Sequence, residues 1–199
     1  MSKHIKMKIL KIYNNYDGSQ IKPFWAREKF SISDDNIVVM IGSMDVKSEN
    51  MIDWDDLRDH KAIKTDKAVH FLIEHYDSND IQLAYCRQRI FCVVVKEILQ
   101  KYNVDAERKG SDLYVDGKKL SVSIVTVGEV QKIHFGINLT TKGTPSDVET
   151  VALENFECFK EDKDIDNAKI EKFIDEILNR YIFDVEKIEK DIKKTRIFE

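Results

Sequence analysis

Lys119 is the residue best placed for chemistry. It follows the turn dipeptide Asp116-Gly117 and leads into a run of small and branched residues, Ser121-Val122-Ser123-Ile124-Val125. A compact ammonium just inside a sheet edge can hold a phosphate or carboxylate and stabilise negative charge developing on an acyl oxygen. Lys118 would face the opposite side of the strand, so only one of the two lysines can serve a site. Lysines in hairpin turns are usually solvated, so spacing alone nominates Lys119 without assigning it.

Three other groups carry polar chemistry. His70 and Glu74 share one face of an alternating segment and His75 faces the other. This is not the His-Glu-x-x-His arrangement of zinc peptidases, so a ligand-facing or structural pair is expected and a metal is not. Arg87 and Arg89 flank Gln88 near the start of a helical pattern. There a guanidinium could clamp a carboxylate through two parallel hydrogen bonds, or be spent on an internal salt bridge or on solvent. Cys86, Cys92 and Cys158 are odd in number and lack CxxC spacing, which points to free thiols in a reducing cytoplasm. Cys158 reads as a small buried hydrophobe before it reads as a nucleophile.

Periodicity supplies the elements that must position these groups. Strands are expected over Met7–Tyr13, over Ile37–Ile41 ending at Gly42, over Ala68–Tyr76 and over Gln131–Thr140. A hairpin is expected from Asp112–Val115, the Asp116-Gly117 turn and Lys119–Val127. Apolar residues recur at helical spacing from Asp80, a plausible cap, to Tyr102, and again from Ile170 to Ile182. Trp54–Lys64 and the stretch after Pro145 read as irregular. The lysine- and glutamate-rich segment 186–199 reads as a charged helical extension. The expected fold class is α+β, a mixed, largely antiparallel sheet with both long helices packed on one face.

Composition limits the function classes. The 199 residues suit one domain, 1–199, with no internal repeat or proline-rich linker. A net charge of −4, from 36 acidic and 32 basic residues, offers no positive field for a nucleic-acid backbone. No apolar run approaches the roughly 20 residues that span a bilayer, and the start Met1-Ser2-Lys3-His4 is unlike a secretory signal. The expectation is a cytoplasmic protein with neither a nucleic acid nor a membrane as partner.

Lys109-Gly110-Ser111-Asp112-Leu113-Tyr114-Val115-Asp116-Gly117-Lys118-Lys119-Leu120-Ser121 resembles the core of the biotin and lipoate protein ligase superfamily, whose fold is class II synthetase-like. In that superfamily a helix leads to an Asn-Asp-Leu-like element, a turn, the essential lysine, and a strand bearing a Gly-x-Asn-like element. The Asp80–Tyr102 helix, Ser111-Asp112-Leu113, Lys119 and Gly136-Ile137-Asn138-Leu139 follow that order. His134-Phe135-Gly136 is similar to the His-Gly element of lipoyl ligases and octanoyl transferases, and Ile37–Gly42 to the strand and glycine that open the lipoate ligase pocket. With Asp17-Gly18-Ser19-Gln20, Glu49-Asn50-Met51-Ile52-Asp53 and Arg87-Gln88-Arg89, the whole chain resembles an uncharacterised, mainly archaeal family with this fold.

The resemblance implies Lys119, Asp112 and His134 as catalytic candidates. Gly42, His70, Arg87, Gly136 and Asn138 are the ligand-binding candidates. Asp112 would orient the lysine or bind a ribose-like hydroxyl, and His134 would line the same wall. Two departures stand out. The superfamily's adenylating members carry an arginine- and glycine-rich loop between positions matching Trp54 and Val69, and this chain has no glycine there. Backbone amides approach phosphate closely where glycine removes the Cβ, so weak or absent ATP binding is expected and no cofactor is named. Octanoyl transferases use a cysteine after the His-Gly strand, and here none occurs before Cys158. The implied function is a ligase- or acyl-transferase-type enzyme acting on a small carboxylic acid or its activated form. An acyl-carrier or lipoyl-type protein and a second copy of the chain are candidate partners. The alternatives are a non-catalytic binding module that kept the pocket and a partner-binding structural subunit.

Overall fold

The protein is described over residues 7–197 in a computed structural model. The Met1–His4 start and the last two residues of the 186–199 extension lie outside the described residues. In chain order the elements are β1 (Lys8–Tyr13), α1 (Trp25–Phe30), β2 (Asn36–Asp45), α2 (Trp54–Arg58), β3 (Lys64–His75), α3 (Ile81–Lys101), β4 (Glu107–Lys109), β5 (Asp112–Val115), β6 (Lys118–Lys119), β7 (Ser121–Val127), β8 (Gln131–Asn138), β9 (Lys160–Glu161), β10 (Asp164–Ile165) and α4 (Asn167–Ile192). The main sheet runs β1-β2-β3-β8-β7 and is parallel only between β1 and β2. The class is therefore α+β with a mostly antiparallel sheet.

Alternation along the central strands sorts their side chains onto two faces. Ile37 and Val39 of β2, Phe71 and Ile73 of β3, and Ile133, Phe135 and Ile137 of β8 pack under α3 and α4. There they meet Phe91, Val95, Ile98, Phe173, Ile174 and Ile177. Each such side chain, taken fully out of water, contributes roughly 1.5–3 kcal/mol. The opposite face holds Val38, Met40 and Leu72 beneath Tyr16, Trp25 and Ala26. α3 starts where the Asp80 carboxylate accepts the Leu83 amide and ends before Asn103, at φ 58°. α4 is capped by Asp166 and continues beyond Ile182 to Ile192, so the charged segment from Glu186 extends the same helix.

Three expectations change, and one helix was not anticipated. β2 does not stop at Gly42: it bulges between Gly42 and Met44 and runs on to Asp45. The glycine serves a close crossing instead, since a Cβ there would lie 1.9 Å from the Asn14 carbonyl oxygen. Lys119–Val127 is two strands. β6 belongs to a small sheet with β4 and β5, and the chain crosses to the main sheet through buried Leu120 before β7 begins. Trp54–Arg58 is a short helix capped by Asp53, which accepts from the Asp55 and Asp56 amides. α1 follows Pro23 and brings Trp25 and Ala26 onto the second core face, a helix too short for periodicity to reveal.

Candidate functional site

The tight turn after β5 is built from Asp116 and Gly117, both with positive φ (51° and 77°), the pairing that a two-residue hairpin needs. It returns β6 beside β5, with Tyr114 opposite Lys119. The other side of Lys119 is stitched to the 149–151 segment: its amide donates to the Glu149 carbonyl at 2.8 Å and its carbonyl accepts from the Val151 amide at 3.0 Å. The Asn138 side-chain amide donates to the Lys119 and Val151 carbonyls, at 3.4 and 3.2 Å. The backbone of Lys119 is thus fixed by three separate segments.

From that mount the Lys119 ammonium reaches Asp112 Oδ2 at 2.7 Å, with both side chains mostly buried and both lining a cavity of about 380 Å³. Burial works against the charge on Lys119, but the attraction and hydrogen bond of Asp112 outweigh it and raise its pKa. Burial also raises Asp112, against the pull of Lys119. Asp112 Oδ1 is buried without a hydrogen-bond partner. Lys118, one residue earlier, is exposed.

His134 lies on the floor of the same cavity. Its ring stacks on Tyr16 at 4.0 Å between centroids, and His70 stacks behind at 5.1 Å from Tyr16. The two imidazoles meet edge to edge, His70 Nδ1 to His134 Nε2 at 3.0 Å. Burial pushes His70 down to about 4 and holds His134 well below the usual histidine range, so both rings are neutral. The crossing at Gly42 delivers Tyr16, whose amide donates to the Ser43 carbonyl at 2.8 Å. Gly136 sits opposite His70 in the ladder, and a Cβ there would press on Val122 and the His134 ring at 3.3–3.4 Å. Met44, Val46, Ile52, Ile63, Val122 and Ile124 give the cavity an apolar side. Asp56, Lys61 and Lys64 of the glycine-free segment, with Asp53 just before it, stand on one wall, and Asp56 is raised by burial and by Asp53.

The structure therefore brings Lys119, Asp112, His134 and Asn138 to one cavity, and places His70 directly behind His134. Gly42 and Gly136 shape it without lining it. Arg87 is elsewhere: its guanidinium grips the Asp77 carboxylate through two bonds of 2.7 and 2.6 Å and donates to Gln131 at 2.6 Å. The internal salt bridge, not a ligand clamp, is what the arginine makes. Glu74 parts from its strand neighbour His70 and forms a wholly buried ion pair with Lys132 at 2.5 Å. On the helix side, Asp35, His75 and Asp77 place ligand-type atoms within 4.8 Å of one another. They are engaged already, His75 with Asp35 at 2.9 Å and Tyr181 at 3.0 Å, and Asp77 with Arg87. Cys158 lies outside the cavity, packed against the helix-side core, and burial pushes its thiol up. Tyr16 and Asp56 were missed by sequence reasoning because neither stands in a motif; only the fold carries them to the cavity.

The fold has the architecture of biotin and lipoate protein ligases. A biotin protein ligase of Aquifex aeolicus superposes with a TM-score of 0.61 at 14% identity, over 93% of this chain and 72% of that one. A bi-partite lipoate protein ligase from Thermoplasma acidophilum gives 0.57 at 10% identity, over 89% and 85%. At such identities the likeness is one of fold. Within that architecture the chain belongs to the family described as "Domain of unknown function (DUF366)", whose model matches residues 5–196. An uncharacterised protein of Methanocaldococcus jannaschii is 41% identical over 186 residues, 91% of this chain and 80% of the relative. A protein of unknown function from Pyrococcus horikoshi shares the fold with a TM-score of 0.88 at 37% identity, covering 98% of this chain and all of the other. Among the described residues no helix is long and apolar enough to cross a membrane.

Proposed function

We propose that the cavity binds a small carboxylic acid or its activated form, and that the protein is a ligase- or acyl-transferase-type enzyme. The observation that carries this reading is the Lys119–Asp112 pair, its lysine held at the backbone by three segments, in a cavity that also has an apolar side. An acid with a short apolar tail matches that layout, the tail against Met44, Ile63 and Val122 and the carbonyl oxygen at Lys119. In acyl transfer the acceptor amine adds to the carbonyl carbon, the oxygen takes up negative charge, and collapse expels the leaving group. Lys119 would stabilise that oxygen, a contribution of roughly two to three orders of magnitude in rate. Asp112 would hold the ammonium in place.

The wall where adenylating relatives carry glycines and arginines has no glycine here and carries Asp53 and Asp56 alongside Lys61 and Lys64. Without glycine the backbone amides cannot close around a triphosphate, which favours an acid that arrives already activated. The same observation supports the second reading, a binding module without turnover. The lipoate ligase of Thermoplasma was studied with an E2 lipoyl domain, so a lipoyl-type domain is the acceptor to offer. Purified protein incubated with that domain and either an octanoyl thioester or octanoic acid plus MgATP should, by intact mass, modify the domain from the thioester. Binding without modification selects the module. Neither binding nor modification rejects both readings.

A further inference from the structure

Tyr16 is fixed at its backbone and at its ring, but not at its hydroxyl. The amide donates to the Ser43 carbonyl at 2.8 Å and the carbonyl accepts from the Asp45 amide at 2.9 Å, which clamps the residue against the end of β2. The ring stacks on His134 at 4.0 Å with 13° between planes and on His70 at 5.1 Å with 20°, and packs with Trp25, Val38, Met40 and Leu72. The whole residue is only 3% exposed. Burial, with the neighbouring Asp17 charge, holds the phenol well above its ordinary range, so it is a neutral O–H. Among the described residues nothing hydrogen-bonds to it.

That oxygen is not sealed inside the protein either. The buried side-chain atoms without partners are on Asn36, His70 and Asp112, and Tyr16 is not one of them. Its hydroxyl therefore keeps open surface. Tyr16 lines the cavity and is otherwise buried, so that surface belongs to the cavity. Packing does not call for the oxygen: a phenylalanine would make the same stacking contacts with no polar atom to desolvate. Water reaching the cavity satisfies the O–H until a ligand displaces it, and the ligand must then replace that bond or leave the O–H unpaired.

We propose that Tyr16 is a specificity-determining residue of the cavity, whose hydroxyl selects an acid with a hydrogen-bond acceptor such as a carbonyl oxygen on its tail over one with a plain hydrocarbon tail. The acceptor is a second polar group, besides the one held at Lys119. The hydrocarbon part of the tail still meets Met44 and Val122, and Met44 is bridged to Tyr16 along the backbone. A site built around a hydroxyl rejects an analogue that leaves it unpaired, at a loss of roughly tenfold or more in affinity. This preference rests on the cavity being the small-acid site; the unpartnered hydroxyl does not.

Tyr16→Phe deletes the oxygen and keeps the ring, so it reads the hydroxyl alone. Without ligand the variant should melt at the same temperature as the parent or higher, since no hydrogen bond within the protein is lost. A clearly lower midpoint would place the hydroxyl in a bond inside the fold and overturn the inference. Calorimetric titration then compares octanoic acid with the oxo-octanoic acids in which a ketone is moved along the tail. For at least one isomer, the ratio of its affinity to that of octanoic acid should be roughly tenfold higher in the parent than in Tyr16→Phe. The same ratio in both proteins for every isomer overturns the selectivity and leaves the small-acid reading standing. If the parent binds neither octanoic acid nor any of the ketones, both fall.

Discussion

The two faces of the β3–β8 pair are equally buried and chemically opposite. Under α3 and α4 the face is mostly hydrocarbon, and the polar cluster at His75 is closed: His75 uses both nitrogens, and Asp35 takes a second bond from the Tyr76 amide at 2.8 Å. On the other face Glu74, Lys132, His70 and His134 replace hydrocarbon. Among the described residues, all three buried side-chain atoms without partners, on Asn36, His70 and Asp112, lie on that face or line the cavity beside it. A closed polar cluster specifies packing, whereas orphaned buried atoms are retained where something else is to be met. The difference is the reason we propose the cavity side as the functional one.

The sharpest way to break the contrast is through the buried ion pair. Glu74→Gln should destabilise the protein by about 3–5 kcal/mol in denaturant unfolding, because Lys132 is left charged and unpaired at full burial. The double change Glu74→Gln with Lys132→Met should recover much of that loss. If the single change costs no more than a surface substitution, the cavity face is not the tightly desolvated surface described above.

Acid should separate the faces next. The folded pKa of His70 lies below the unfolded value of 6.5, so the unfolded chain takes up a proton that the native one refuses. Stability is therefore full above pH 6.5 and falls as pH drops toward 4, by about 3 kcal/mol for this ring, with His134 adding in the same direction. Melting curves from pH 7 to 4.5 should show the loss, and His70→Asn should flatten it.

The closed cluster responds less. Tyr181→Phe removes one hydrogen bond and keeps the ring, at about 1–2 kcal/mol with ligand binding unchanged. A comparable loss of ligand binding would mean that the two faces communicate.

How much of this was legible beforehand depends on the range of the interactions. β3 and α3 could be read because alternation and helical spacing are local, and Asp80 announces its helix. The Lys119 hairpin could be read from Asp116-Gly117. Arg87 was ambiguous because its partner, Asp77, precedes the helix and looks like loop. Gly42 was misread because a glycine after an apolar run marks a strand end as often as a chain crossing, and only Asn14 distinguishes the two. Tyr16 could not be read at all, since its place depends on that crossing and on His134, far along the chain. Long-range stacking leaves no periodic trace.

The central claim is that Lys119, mounted between three segments, is the anchor of a small-acid cavity. Calorimetric titration of the parent, Lys119→Ala and Lys118→Ala with octanoic and lipoic acids, and with their thioesters, tests it most directly. The account predicts binding by the parent, the same affinity for Lys118→Ala, and for Lys119→Ala a loss of about one to two orders of magnitude with the free acids and less with the thioesters. Equal binding by all three proteins, or binding by none of them, would contradict it.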